Sequence, residues 1–485
     1  MLAPWAIEES ADVNLQDKRL NQRMAEVLSQ LGGSPKASIP SACGTWAETL
    51  AAYRFFDNPK VSFGGILEPH IEASFGRIKS QSVVVVAQDT TEVELTRPER
   101  VVSGAGPLAD ESRWGAFLHP MHAFSAEGTP LGTVYAQAWS REKPPLVART
   151  KKQKEYDRKH TPFEDKESYR WFESLRQAEE IAEAAAETQV VCVADSEADI
   201  YELLGSPKID RVDWIVRGCQ NRALSGEQTL QQDAAPAFIR ETVLKTECRF
   251  TKTINIGKRK SRIKDETRKR KQSRPAREAE MEVRAASVTL RAPWRCDKKL
   301  TDTTINVVLV TEVDVPQGEE PIEWILLTSL PVDTIEAIKS VIQYYTVRWM
   351  IEVYFRTLKS FCRIEERQFE TLDRVLNAIA IYMIIAWRSL YVCRIAREMP
   401  DDSCEIIFEP EEWKAVHSFV HMEMPPENPP SLKEMVRAIG QLGGFINRTH
   451  DDQPGPLTVA AGLQRTHDIA RCWLAFGPDT NLADP

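Results

Sequence analysis

What this chain of 485 residues lacks narrows it first. It has nine cysteines but no C-x-x-C pair, and an odd number without that spacing argues against both a disulfide framework and a thiolate zinc site. Long apolar runs are missing too. The longest in the C-terminal half, Ala378 to Trp387, is bounded by Asn377 and Arg388 and is too short to cross a bilayer, so it reads as a buried helix. The opening residues, Met1 to Trp5 followed by Glu8 and Glu9, carry neither a basic stretch nor a long apolar core. No export signal is expected from them, and the cytosol is the natural compartment. There is no G-x-x-x-x-G-K-[ST] loop, no G-x-S-x-G elbow and no H-E-x-x-H helix, so none of those routes to phosphate cradling, acyl transfer or zinc hydrolysis is open.

What is present is ordinary in bulk and uneven in detail. A hydrophobic share of 42% with 27% charged residues fits a water-soluble globular protein of two to four domains. The net charge of −9 at first sight disfavours nucleic acid. However, Lys258 to Arg277 carries +9 in twenty residues, which leaves −18 for the rest of the chain. Such a block is either a solvated loop or a phosphate-contacting arm with salt-dependent affinity and no sequence choice.

The first sixty or so residues read as helices. Asp17 to Leu28 has apolar residues at helical spacing and is closed by Gly32-Gly33-Ser34-Pro35; Trp46 to Phe56 is closed by Asp57-Asn58-Pro59. Lys18, Arg19, Arg23 and Arg54 form the basic side of this unit. From Ser82 the grammar changes. Val83 to Ala87 is a β-branched run typical of a strand buried on both faces, and it ends in Gln88-Asp89. Val190 to Ala194 repeats the pattern and ends in Asp195, after an alanine-rich helix around Gln177 to Glu187. Alternation between about 220 and 330 predicts a β-rich insertion that contains the basic block. Helices return after about Thr371.

One stripe concentrates the chemistry. A helix read from an Asp333 cap to about Phe361 would place Tyr345, Arg348, Glu352 and Lys359 within an arc of about 60°, a carboxylate between two cations and a phenol. Trp349, Met350, Ile351, Val353, Tyr354 and Phe355 around Glu352 suggest a dry site, where a carboxylate needs a partner such as a metal ion or a phosphate site. A solvated charged face is the plainer alternative. Likewise, Asp89 could open a capping box and Asp195 could be only an N-cap. Three carboxylates from two strand ends and a helix are nevertheless what two hard divalent ions require for phosphoryl transfer, since such ions prefer few oxygen ligands and retain waters.

Those residues, with V-A-Q-D-T-T-E at Asp89, D-S-E-A-D-I at Asp195, I-V-R at Arg217 and E-W-I-L-L-T-S-L-P-V at Trp324, resemble the YREK-bearing DDE transposases. These are bacterial cut-and-paste enzymes of the IS-four group, typified by the Tn-five transposase. The resemblance extends to A-Y-R-F-F-D-N-P near Arg54, R-K-Q-S-R-P-A-R in the basic block and Q-L-G-G-F near the C-terminus. It implies an α/β fold: an RNase H-like catalytic domain over about 66–370 with the β-rich insertion, after a helical end-binding domain over 1–65 and before a helical, dimerising domain over 371–485. Asp89, Asp195 and Glu352 would be catalytic and would hold two Mg²⁺ or Mn²⁺ ions. Tyr345, Arg348 and Lys359 would hold DNA phosphates, Arg217 would also contact the DNA, Trp324 would receive a flipped base, and Lys18, Arg19, Arg23 and Arg54 would read the terminal inverted repeat. The implied protein is a homodimer in the bacterial cytosol that cuts double-stranded DNA at transposon ends through a hairpin and joins it to target DNA. An inactive end-binding copy and another RNase H-like nuclease are the alternatives. The acidic segment after Pro400 departs from the pattern.

Overall fold

The computed structural model describes residues 2–97, 101–110, 112–142, 150–225, 237–258, 275–295 and 298–478. Most of the basic block, residues 259–274, lies outside them. The chain divides into two compact units, and neither is contiguous in sequence. One comprises Met1–Val147, Glu180–Val190 and Val347–Pro485; the other comprises Ala148–Glu179 and Val191–Thr346.

In the first unit the short helix Pro4–Glu8 precedes the helix Lys18–Gly33, which is capped by Asp17, whose side chain accepts from the Arg19 N–H. After the short helix Ile39–Cys43 come the helix Trp46–Phe56, capped by Thr45, and the helix Phe63–Ile78, capped by Ser62. The strands of this unit are β1 (Val83–Gln88), β2 (Thr91–Glu94), β3 (Gly106–Pro107), β4 (Trp114–Ser125) and β5 (Pro130–Trp139). β4 is the central ribbon of these, pairing antiparallel with β1, β2, β3 and β5. Every residue of β4 after Trp114 is buried, as expected of a strand covered on both faces.

The C-terminal part of this unit is organised by one helix, Leu372–Glu398. The apolar run Ala378 to Trp387 was expected to be too short for a membrane. The helix that contains it has 27 residues and is long and apolar enough to cross one, yet 83% of its most apolar window is buried inside the protein. Its last turns join Trp413, Val416, Met435, Val436, Ile439, Leu442 and Val459 in a second core, formed with the helices Pro410–His421, Leu432–Leu442 and Pro456–Phe476. The Trp413 indole N–H donates to Glu405 at 3.0 Å, which satisfies the one polar atom that burial would otherwise strand.

β6 (Gln189–Ala194) begins in the first unit and ends in the second. The second unit continues from it through β7 (Val212–Arg217), β8 (Phe250–Ile256), β9 (Arg277–Leu290), β10 (Thr303–Glu312) and β11 (Glu323–Thr328), in the spatial order β6-β7-β11-β10-β9-β8. The pairs from β7 to β8 are antiparallel. β9 alternates buried and exposed residues along most of its length, the pattern of a sheet with one wet face. The β-rich stretch expected over about 220–330 is seen as β8 to β11 of this run. The protein has a mixed α/β fold with extensive sheet and helical flanks, consistent with an RNase H-like core.

The single helix expected from Asp333 to Phe361 is instead three segments. Ile335–Val347 is α-helical, with Thr334 rather than Asp333 accepting at its start, from the Ala337 N–H at 3.1 Å. Arg348 interrupts it and Trp349–Arg356 resumes it. Thr357–Phe361 is then wound as a π-helix, closed by a bond from the Cys362 N–H to the Thr357 carbonyl at 3.0 Å. Each extra residue in the hydrogen-bonded ring rotates the residues downstream of it, so Lys359 does not keep the phase that a uniform 3.6-residue period assigns to it.

Candidate active site

In the first unit, β1 delivers Asp89 at its carboxyl end and the Trp349–Arg356 helix delivers Glu352. What joins them is Arg348. Its Nη1 lies 3.1 Å from Asp89 Oδ2 and its Nη2 lies 2.7 Å from Glu352 Oε1. The Arg348 and Asp89 side chains are only 12% and 17% exposed, so this pairing is partly shielded from water. The Glu352 side chain is 36% exposed. The dry pocket expected around it is not seen: Trp349 is itself 58% exposed, because the apolar neighbours turn to other faces of the helix. The partner this carboxylate was expected to need is an arginine from its own helical stretch.

Asp89 is further fixed by its own backbone. Its Oδ1 accepts from the Thr90 N–H at 2.7 Å, and β2 begins immediately afterwards at Thr91. Behind it, the Thr90 hydroxyl meets His119 Nδ1 at 2.9 Å, and His119 Nε2 meets Gln88 Oε1 at 3.3 Å. His119 and Gln88 are fully buried. This polar chain under the strand end was not singled out from sequence. The glutamine and threonine flanking Asp89 were its only trace there.

Lys359 is also engaged. Its ammonium donates to the Glu92 carbonyl and lies 3.3 Å from the Glu365 carboxylate. Glu365 in turn accepts from the Glu94 N–H at 3.0 Å, and Arg113 spans Glu92 at 2.5 Å and Glu94 at 3.2 Å. Both cations of the signature that lie in this unit are thus neutralised by the protein's own oxygens.

In the second unit, Asp195 caps the short 3-10 turn Ser196–Ala198, with Oδ1 accepting from the Glu197 N–H at 2.8 Å. The last acid of the D-S-E-A-D run is structural. Asp199 is buried, pairs with Arg222 at 2.6 Å and accepts from the Cys219 and Gln220 N–H groups at 2.8 and 2.9 Å. Arg217 is exposed at the end of β7. Trp324, second in β11, makes an edge contact with Tyr345, ring centroids 5.7 Å apart; Tyr345 is 6% exposed, so its ring is part of the packing.

Carboxylate oxygens suit a hard divalent cation, and the guanidinium of Arg348 already stands between two of the expected ligands as a positive charge. In chemistry, Asp89 and Glu352 fit such an ion. Among the described residues, no three His, Cys, Asp or Glu side chains are gathered around a common point that could hold a metal. The geometry therefore brings Asp89 and Glu352 together through Arg348 and leaves Asp195 as a cap in the second unit.

At the N-terminal helices, Lys18, Arg19 and Arg54 are exposed, whereas Arg23 is not available in the same way. Arg23 pairs with Glu26 at 2.6 Å and with Glu48 at 2.7 Å. A groove of about 470 Å³ between the two helices is lined by Arg19, Arg23 and Arg54 among others. Trp46, which opens the second of these helices, is 78% exposed and was not anticipated as a surface residue. Of the basic block, Arg277 is committed to Glu312 and Glu319.

Residues 2–61 match the family described as transposase DNA-binding, residues 173–388 the transposase DDE domain, and residues 384–472 the transposase Tn5 dimerisation domain. Among solved structures, a cryo-EM structure of the piggyBac transposase synaptic complex with hairpin DNA is similar at 9% identity and a TM-score of 0.33, over 86% of this chain. The chain spans 58% of the length of that protein, and a likeness this loose has no weight for the chemistry. The three matches follow one another along the sequence as transposase DNA-binding, transposase DDE and transposase Tn5 dimerisation domains, which supports a Tn5-like DDE transposase.

Proposed function

We propose that the protein is a DNA transposase of the IS-four group with the YREK signature, acting as a homodimer on double-stranded terminal inverted repeats and target DNA. In this reading Asp89, Asp195 and Glu352 hold two Mg²⁺ or Mn²⁺ ions. When bound, these ions lower the pKa of the attacking water or 3′-hydroxyl and stabilise the departing oxygen of an in-line displacement. The protein's own side chains do the rest. Arg348 and Lys359 neutralise phosphates beside the scissile bond, Tyr345 and Arg217 position the end, and Trp324 receives a base flipped from the strand while the end passes through a hairpin. Unstacking costs a few kcal/mol, which an aromatic platform partly returns. Lys18, Arg19, Arg23 and Arg54 engage the terminal repeat, and the basic block adds phosphate contacts that carry no sequence choice.

The observation that carries this reading is the pairing of Asp89 and Glu352 on a single cationic group, from a strand end and a helix 263 residues apart in sequence. Glu352→Gln is its test. The variant should bind terminal-repeat DNA as the parent does and lose Mg²⁺-dependent nicking by at least a thousandfold, on the order expected when a group acting on the reacting centre is removed. Nicking that persists would show that Glu352 is not a metal ligand.

A further inference from the structure

We infer that Arg348 is the resident cation of the DNA-free site: it holds the position between Asp89 and Glu352 that a divalent ion must take, so metal entry and phosphate capture are one coupled exchange. This rests on the reading of Asp89 and Glu352 as metal ligands and adds a regulation of that site.

The geometry is that of a bridge. Two different nitrogens of one guanidinium reach two different carboxylates, at 3.1 and 2.7 Å, rather than forking onto one. Two carboxylates held this close repel one another unless a cation lies between them, and Arg348 supplies it. The trio then carries one net negative charge. A divalent ion held by Asp89 and Glu352 would reverse that sign and leave the guanidinium beside a like charge in a partly shielded site. Arg348 is thereby driven off the carboxylates, with its charge and fork geometry ready for a phosphate.

Lys359 is poised in the same manner, on Glu365 and the Glu92 carbonyl. Because the arginine cannot serve both partners at once, whatever favours its transfer to phosphate favours the metal. By reciprocity, bound metal favours phosphate by the same factor. The DNA-free enzyme is thus a weak metal binder by construction, which limits hydrolysis before an end is in place.

The test measures Mn²⁺ binding to the full-length, DNA-free protein by electron paramagnetic resonance of the free ion. Asp89→Asn and Glu352→Gln should lose binding. Arg348→Gln should bind Mn²⁺ about tenfold more tightly than the parent, a typical size for a coupling between sites, and Arg348→Lys, which keeps the charge, should stay near the parent. A second measurement needs no variant. Labelling of Arg348 by phenylglyoxal, read by mass spectrometry, should accelerate several-fold when Mg²⁺ is added to the parent protein. Unchanged labelling, or Arg348→Gln binding Mn²⁺ no better than the parent while the two carboxylate variants fail, would overturn the exchange and leave the ligand reading standing. Carboxylate variants that bind Mn²⁺ normally would overturn the ligand reading itself.

Discussion

Glu9→Gln is the substitution whose consequence can be worked furthest from the structure. Glu9 is 2% exposed and closes the first helical turn of the chain. Its carboxylate accepts from Arg77 Nη1 at 2.8 Å and from His70 Nδ1, while the Thr133 N–H donates to His70 Nε2 at 3.1 Å. Since Nε2 accepts, the histidine donates through Nδ1 as the neutral ring, and the ion pair proper is Glu9 with Arg77. Arg77 also donates to the Leu131 carbonyl and stacks over Trp387 at 4.2 Å. Burial alone would push the Glu9 carboxyl up, but His70 and then Arg77 outweigh it and hold the group below its ordinary value of 4.5.

Breaking a buried pair typically costs 3–5 kcal/mol, and glutamine keeps an acceptor for Arg77, so about 2–3 kcal/mol is expected at neutral pH. For a unit of this size that is a fall in Tm of about 5 °C. A carboxyl whose folded value is depressed contributes stability that is fully present above the unfolded value and is lost as pH falls through the folded one. The gap between parent and variant should therefore be widest near pH 7 and close as pH falls below 4.5. Thermal melts followed by circular dichroism across pH 3 to 7 measure it. A gap that stays constant with pH, or one below about 1 °C at pH 7, would refute the assignment of an ionised, paired Glu9.

Three further outcomes are expected. Changing Arg19 and Arg54 together to alanine should weaken terminal-repeat binding and reduce the slope of log affinity against log salt by about 2, measured by fluorescence anisotropy at several salt concentrations; an unchanged slope removes both from the DNA contact. Trp324→Ala should slow hairpin formation more than the first nick in a single-turnover gel assay, whereas equal slowing would make the indole a packing residue of β11. Gly462→Ala should lower Tm by several degrees, because an added Cβ would sit 1.9 Å from the Ile439 carbonyl and force the helices Pro456–Phe476 and Leu432–Leu442 apart, a cost of about 1–3 kcal/mol; a neutral effect would mean the helices part freely.

Much of the fold was legible where local rules decide. The helix Trp46–Phe56 was read to its ends, with Asp57-Asn58-Pro59 as its stop, and the structure adds the Thr45 cap at its start. β1 and β6 were legible because five consecutive apolar residues before an aspartate leave little choice. The break at Arg348 and the π segment at Thr357–Phe361 were not, since periodicity reports an average twist and says nothing of a single hydrogen bond that slips by one residue. Nor could sequence spacing show that Arg348 pairs with Asp89, 259 residues away. The same limit hid Arg367, which is buried and donates to the Pro35, Ala37 and Cys362 carbonyls, pinning a loop of the N-terminal helices from more than 300 residues away. Charges looked available in the sequence because their partners are distant in it: Arg23, Arg277 and Lys359 are each already answered by a carboxylate.

The helix Leu372–Glu398 carries the overlap of two family matches, since the DDE domain match runs to residue 388 and the dimerisation match starts at 384. No hinge separates them; the junction is an unbroken rod. A single residue inserted midway would swing everything downstream by about 100° and advance it by about 1.5 Å. Evolution can therefore lengthen or trim the loops beyond Glu398, but this span must be inherited at fixed length, like a keyed shaft between two gears.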